Sequence, residues 1–300
     1  MTAESAPASI RDAHDARPVC GRPGLNWLGV VPFFAFAVLF MILPVTFLLI
    51  GSFQDSQNHL TLQNYADLSQ NLVIDSYRNS IEISLVTAVG GGIFGFLLAY
   101  AAILGGLPGI FRTALMTFSG VASNFAGIPL ALTFTFTLGH VGLFTTFLLD
   151  VLHIDIYRGG FSLYTKLGIE IVYMYFQFPL MVLIVAPAID GLKRDWREAS
   201  ENLGASAAQY WRYVALPILA PTLLGTMILL FGNAFGAQAT AYQLAPQTNL
   251  VTLLISAQMR GDVLFNPGLG YALAMGMVVI MGIAIALYSL LQRRAERWLR

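Results

Sequence analysis

Stretches free of Asp, Glu, Lys and Arg alternate along the whole chain with short charged ones. The six uncharged stretches run from Pro23 to Gln54, Ile83 to Phe111, Thr113 to Leu149, Ile171 to Ile189, Tyr213 to Met259 and Val263 to Gln292. A bilayer core about 30 Å thick is crossed by roughly 20 apolar residues of helix, so four of these stretches predict one span each. The third and fifth are longer and turn polar in their second halves, at Gly139-His140 and from Ala245 to Asn249. Each of those predicts one helix followed by an outer loop. The predicted spans are 28–52, 80–104, 113–137, 168–189, 213–236 and 268–292. Backbone polar groups in lipid must be satisfied within helices or a closed barrel. These runs are too long and continuous for the alternating strands of a barrel, so the expected fold class is all-α.

Composition strengthens this picture. Of 300 residues, 57% are apolar and only 11% charged, against about 25% charge in a soluble domain; the mean hydropathy is +0.70. Sixteen acids and sixteen bases cannot coat a soluble globule of this size. Disorder is excluded because it needs low hydrophobicity and high net charge. The net charge is zero, with no basic block to attract nucleic acid. One cysteine, Cys20, excludes an internal disulfide framework and an all-cysteine metal site, and no metal ligand set is expected. Leu28 to Ser52 is longer than the 7–15-residue apolar region of a secretion signal, and no small-residue cleavage site follows it. Residues 1–26 read as a cytoplasmic tail, 27–295 as a six-helix transmembrane domain, and 296–300 as a short cytoplasmic end.

Lys and Arg placement sets the orientation, because these residues concentrate on the cytoplasmic side. Twelve lie on one side: Arg11, Arg17, Arg22, Arg112, Lys193, Arg194, Arg197, Arg212, Arg293, Arg294, Arg297 and Arg300. Four lie on the other: Arg78, Arg158, Lys166 and Arg260. Both termini and the loop between spans 4 and 5 are therefore expected in the cytoplasm.

That loop, 190–217, is the most charged stretch of the chain. Ala-rich sequence on both sides of Gly204 favours helix, and Gly204 suits a break between two short helices. Pro217 suits the first turn of the next membrane helix, where its missing N–H costs nothing. The expected form is helix–Gly–helix. The loop resembles the EAA loop of ABC-importer permeases: Glu-Ala-Ala, three residues, Gly, nine residues, then Ile-x-Leu-Pro. Here it reads Glu198-Ala199-Ser200, then Gly204, then Val214-Ala215-Leu216-Pro217. Ser200 and Val214 depart from the pattern. Leu62-Gln63-Asn64-Tyr65 and Asn79-Ser80, together with the order of six spans over about 27–295, are similar to the same family, in its type I fold.

The resemblance implies a bacterial inner-membrane, multi-pass permease subunit with no ATPase of its own, and so not an enzyme. Its implied partners are two copies of a cytoplasmic ATP-binding subunit, which carry the ATP and Mg, and a second permease subunit, a different homologous chain. A periplasmic or lipid-anchored solute-binding protein completes the set. Glu198, Ala199, Ser200, Leu203, Gly204, Leu216 and Pro217 would couple the chain to the ATP-binding subunits. The chain contains no Gly-x-x-x-x-Gly-Lys-Ser/Thr and no His-Glu-x-x-His, so it must draw its energy from elsewhere.

Polar side chains inside spans mark candidate pathway sites, although such groups also bond helix to helix. The candidates are Asn124 in span 3, where Pro129 introduces a kink, Tyr173, Tyr175 and Gln177 in span 4, and Asn233, Gln238, Thr240 and Tyr242 at the outer end of span 5. Gly90, Gly91, Gly92 and Gly95 read as close-packing positions. Glu82 and Glu170, with Asp55, Asp67, Asp75, Asp150, Asp155 and Asp262, give the outer side eight acids against four bases. Such a mouth favours a cationic solute, or else receives a docking partner. Within the family the chain looks most similar to spermidine/putrescine permeases, with phosphonate, ferric-iron and sulfate relatives as alternatives. An ion-coupled secondary transporter is the rival class. It calls for acids deep within spans and paired broken helices, and the sequence predicts neither.

Overall fold

A computed structural model describes residues 29–55, 57, 59–106, 108–260 and 265–297, with side chains described as far as Arg293. The expected tail 1–26, including Cys20, lies outside the described residues, as do Asp262 and the last three residues. The chain falls into two compact units, Met1–Phe47 and Leu48–Arg300.

Helix α1, Val31–Ser52, crosses that boundary and is strongly apolar, without a charged residue. The second unit contains α2 (Asn71–Leu104), α3 (Gly109–Ala122), α4 (Ile128–Leu138), α5 (Leu143–Leu152), α6 (Lys166–Asp190) and α7 (Arg194–Asn202). It continues with α8 (Ala207–Gly236), then α9 (Ala239–Leu244), α10 (Val251–Arg260) and α11 (Pro267–Arg297). No strand occurs among the described residues. Among the described residues six stretches are long and apolar enough to cross a membrane, as many as the charge-free runs predict; the third, Ile128–Leu152, joins α4 and α5.

The centre is formed by α2, α6 and α8, with α2 and α6 in the most extensive contact. Glycine permits it. A Cβ on Gly91 would stand 2.5 Å from Cβ of Gln177, and one on Gly95 would stand 2.5 Å from both Cβ and the backbone oxygen around Met181 and Phe178. Removing side chains along one stripe of α2 lets the backbones approach closely, as small residues do in membranes. Val182, Val185, Ile189, Leu219 and Leu230 are buried in the neighbouring core.

The structure corrects four boundaries. Helix α2 starts at Asn71, not near 80, and its 34 residues span about 50 Å at 1.5 Å per residue, so it extends beyond the lipid. The third span is not one helix over 113–137 but two, α3 and α4, broken at 123–127. Asn124 Nδ2 donates to Gly120 O at 2.9 Å, offering the backbone a competing partner. Gly127 has φ +75°, a left-handed value that glycine adopts without strain, and Pro129 opens α4 where its missing N–H is harmless. Arg112 of α3 meets Asp190 at one end of α6, while Gly139 after α4 lies beside Tyr164 at the other end. Together α3 and α4 therefore traverse the full length of α6.

Thirdly, the polar halves of the long runs are not simple loops, since they fold as α5, α9 and α10. Fourthly, the fifth span starts at Ala207, well before 213, while Pro217 sits as expected in the first turn of its α-helical part, Leu216–Gly236. A π-turn over Trp211–Ala215 precedes Pro217, and a π-turn over Val38–Ile42 in α1 likewise precedes Pro44. Widening the turn relieves the clash that proline imposes on the preceding carbonyl.

The α2–α6 seam makes a prediction. Gly95→Ala should destabilise the protein by about 1–3 kcal/mol through overpacking, and lower its thermal midpoint in detergent. Gly120→Ala, where a Cβ meets nothing within 4 Å, should be neutral or stabilising by up to about 1 kcal/mol. Equal effects at the two positions would refute the seam.

Candidate functional site: a polar latch in the bundle and an exposed loop at its end

Two regions collect the residues marked by sequence. The first lies at the break in the third span. Thr240, on α9, is buried, and its Oγ1 accepts from Gly127 N at 3.0 Å and approaches Gly127 O at 3.2 Å. One hydroxyl thus satisfies both polar groups of the glycine that breaks the span. Tyr173 OH donates to Ala237 O at 2.6 Å, holding the end of α8 against α6. Gln177 is 0% exposed and its Nε2 donates to Leu230 O at 2.8 Å, while its Oε1 has no partner in the protein. Gln238 Nε2 donates to Ser256 Oγ on α10.

The Tyr173 hydroxyl, the Gln177 and Gln238 amide nitrogens and the Thr240 hydroxyl are thus engaged between helices, which is the helix-to-helix role weighed for such groups. Asn124, Asn233 and Tyr242 are exposed. Tyr175 is half-buried, edge-on to Phe125 and Phe134, and borders an apolar cleft of about 480 Å³ with Phe94, Leu98 and Phe178. The Asn79-Ser80 pair, marked in sequence by its family resemblance alone, ties α2 to the segment that opens α10. Ser80 Oγ accepts from Val251 N at 2.9 Å and so holds the start of α10. Asn79 Nδ2 donates to Asn249 O at 3.1 Å.

Around this end the acids are less free than their number suggests. Glu82 pairs with Lys166, Asp155 pairs with Arg158 at 3.3 Å, and Asp67 accepts from Gln63 Nε2 at 3.0 Å. Asp55 caps a turn, accepting from the backbone N–H of Gln57 at 2.8 Å and of His59 at 3.0 Å. Those backbone bonds, His59's first, hold its carboxyl below the ordinary range. Glu170 is half-buried, within electrostatic reach of Lys166 and Glu82.

The second region is the charged loop. Helix α7 ends in a Schellman motif: Ala205 N donates to Ser200 O at 3.0 Å and Gly204 N to Glu201 O at 2.9 Å, with Gly204 at φ +77°. These bonds satisfy carbonyls that the helix end leaves open. Ser206 then starts α8 with a capping box, accepting from Gln209 N while its own N–H donates to Gln209 Oε1 at 2.7 Å. The expected helix–Gly–helix is realised. Glu198 and Ala199 face outward, with Glu198 only loosely paired to Arg194 at 3.5 Å. Leu203 is 88% exposed at the tip. Leu216 is exposed and Pro217 half-buried, whereas Ser200 turns inward and its Oγ donates to Arg197 O at 2.7 Å. No cluster of three or more metal-ligating side chains occurs among the described residues.

Six candidate spans among the described residues, an apolar bundle interior crossed by a few polar ties and an exposed, tightly capped helix are the features of a membrane permease subunit. The chain belongs to the family of binding-protein-dependent transport system inner membrane components, whose pattern matches residues 101–297; these are permeases of ABC importers. It is 29% identical over 234 residues to the sulfate transport system permease protein CysT of Salmonella typhimurium, covering 75% of this chain and 78% of that one. It is 25% identical over 285 residues to the spermidine/putrescine transport system permease protein PotB of Haemophilus influenzae, covering 88% and 94%. In fold it is similar to a chain of a bacterial ABC transporter involved in the import of the acidic polysaccharide alginate, with a TM-score of 0.71, 16% identity, and coverage of 90% of this chain and 95% of that one. Family membership makes it a multi-pass inner-membrane protein.

The latch is directly testable. Thr240→Val keeps the shape but leaves Gly127 N unpaired in the protein interior, which should cost about 1–3 kcal/mol. Tyr242→Phe, at a side chain 60% exposed, should change stability by less than about 0.5 kcal/mol. Thermal unfolding of the two variants in the same detergent reads the difference.

Proposed function

We propose that this chain is one permease half of an importer for sulfate or a similar small oxyanion, powered by separate ATP-binding subunits. The observation that carries the solute assignment is the higher identity to a sulfate permease than to a polyamine permease. We place sulfate ahead of the polyamine expectation, which leaned on the resemblance to spermidine/putrescine permeases and on a surplus of outer acids. Pairing of Glu82, Asp155, Asp67 and Asp55 within the chain supports the change, because a carboxylate engaged locally attracts a passing cation less. The near full-length similarity to PotB keeps spermidine as the second reading.

Helix α7 and the turn after it form the coupling surface in this reading. Leu203 and Ala199 enter an apolar cleft of the ATP-binding subunit, and Glu198 meets a basic group at its rim. A leucine this exposed on a charged loop is what a docking site presents before its partner arrives. The loop faces the cytoplasm, on the strength of the Lys and Arg distribution. A solute-binding protein and a second, homologous permease chain complete the assembly, with ATP and Mg held by the ATP-binding subunits.

Two measurements test this. Cells lacking the chain should take up [35S]sulfate only when it is restored, with no gain in [14C]spermidine uptake; the opposite pattern transfers the assignment to polyamines. Glu198→Arg and Leu203→Asp should each lower uptake about tenfold or more, as loss of about 1.4 kcal/mol of docking energy implies, with normal amounts of protein in the membrane. Uptake at the wild-type rate in both variants would remove the coupling role.

A further inference from the structure

Helix α6 carries charges of the wrong sign at both ends. A helix has partial positive charge at its N-terminus and partial negative charge at its C-terminus. Yet Lys166 is the first residue of α6 and Asp190 its last. Each is matched by a side chain from another helix, Lys166 by Glu82 of α2 and Asp190 by Arg112 of α3. Arg112 also opposes its own helix, since it lies in the first turn of α3. Among the described residues, Arg158–Asp155, Arg194–Glu198 and Arg197–Glu201 pair within four positions of each other. Arg112 and Asp190 are 78 positions apart. Neither serves its own helix, so local helix stability gives no reason for either charge.

The position of this pair gives one. Asp190 is joined to α7 by only three residues, and Gly191 N and Leu192 N bond back to Pro187 O and Ile189 O in a tight turn. A displacement of α7 is therefore delivered to Asp190 with little slack. Across the pair, Arg112 lies in the first turn of the 14-residue helix α3, whose far end is the break at 123–127, and there Gly127 is held by Thr240. Every step is a short covalent link, a rigid helix or a specific polar contact.

We propose that the Arg112–Asp190 ion pair is a positioning strut that transmits movement of the α7 loop to the broken third span. It rests on the reading of α7 as the coupling surface, and deepens it by naming the contact through which the surface acts on the bundle.

The test uses the whole complex, with partner permease and ATP-binding subunits, in lipid nanodiscs with its solute-binding protein. The primary readout is the ratio of ATP hydrolysis with and without binding protein, which does not depend on knowing the solute. Arg112→Gln and Asp190→Asn should each lower this stimulation about fivefold or more, the lower range of a typical coupling effect. Because both charges oppose their helix dipoles, neither variant should lower the thermal midpoint. The swap of Arg112→Asp with Asp190→Arg should return stimulation to within about twofold of wild type, the signature of a direct pairwise interaction.

Stimulation that stays at the wild-type level in both single variants overturns the proposal. So does a swap no better than the singles, or a fall in thermal midpoint that parallels the loss of stimulation, which would assign the pair to folding. A wild-type complex that is stimulated yet moves no [35S]sulfate faults the solute assignment alone, and leaves the strut to be judged by the ratio. A wild-type chain that assembles with no ATP-binding subunit removes the coupling reading and the strut with it.

Discussion

The close approach of α2 and α6 underlies most of the arrangement. With Gly91 and Gly95 at the seam, two long helices pack backbone to backbone and bury the stripe of α6 that carries Tyr173, Gln177 and Met181. That fixes the height and rotation at which Tyr173 reaches Ala237 and Gln177 reaches Leu230. Lipid supplies no hydrophobic drive between helices, because acyl chains are as apolar as leucine. Tight packing and interhelical hydrogen bonds must do the work instead. The glycine stripe and the polar ties are thus one device: the first brings the backbones near, the second sets their register.

The broken third span follows the same logic. A gap in a membrane helix exposes N–H and C=O groups that lipid cannot satisfy, so such a gap is tolerated only where protein or water covers it. Thr240 Oγ1 meets both polar groups of Gly127, and Asn124 occupies the Gly120 carbonyl from within the turn. Segments more than a hundred residues apart are thereby joined at the point where the span changes direction. The break is built into the packed bundle.

Much of this was legible before any coordinates. Charge-free runs marked the spans because desolvating a charge is costly wherever it occurs, and that cost is local. Gly204 was readable as a turn for the same reason: a positive φ is a property of one residue, and the Schellman bonds span six residues. Pro129 marks a kink in the third span, but not that the helix stops altogether at Gly127, because hydropathy averaged over a span is indifferent to one left-handed glycine between two apolar helices. Nor could sequence separate Thr240, which is buried, from Tyr242, which is exposed, since that difference depends on a partner 113 positions away. Helices α5 and α10 leave no mark in hydropathy because polar residues shorten an apolar run without forbidding a helix beyond it.

Counting charges is a weak guide for a related reason. A formal surplus of acids describes a field only if the carboxylates are free, and several here are committed to a neighbouring lysine, arginine, amide or backbone turn. Glu82 illustrates this best: in the count it is an attractor for cations, while in the structure it neutralises Lys166 at the start of α6. The reverse holds for Arg112, which counted only toward orientation and in the structure bonds the last residue of α6. In a protein with charges at only 11% of its positions, each ion pair between helices is a large share of the specific electrostatic information available. Such pairs say more about how the helices are held, and about what moves together, than their sum says about what passes between them.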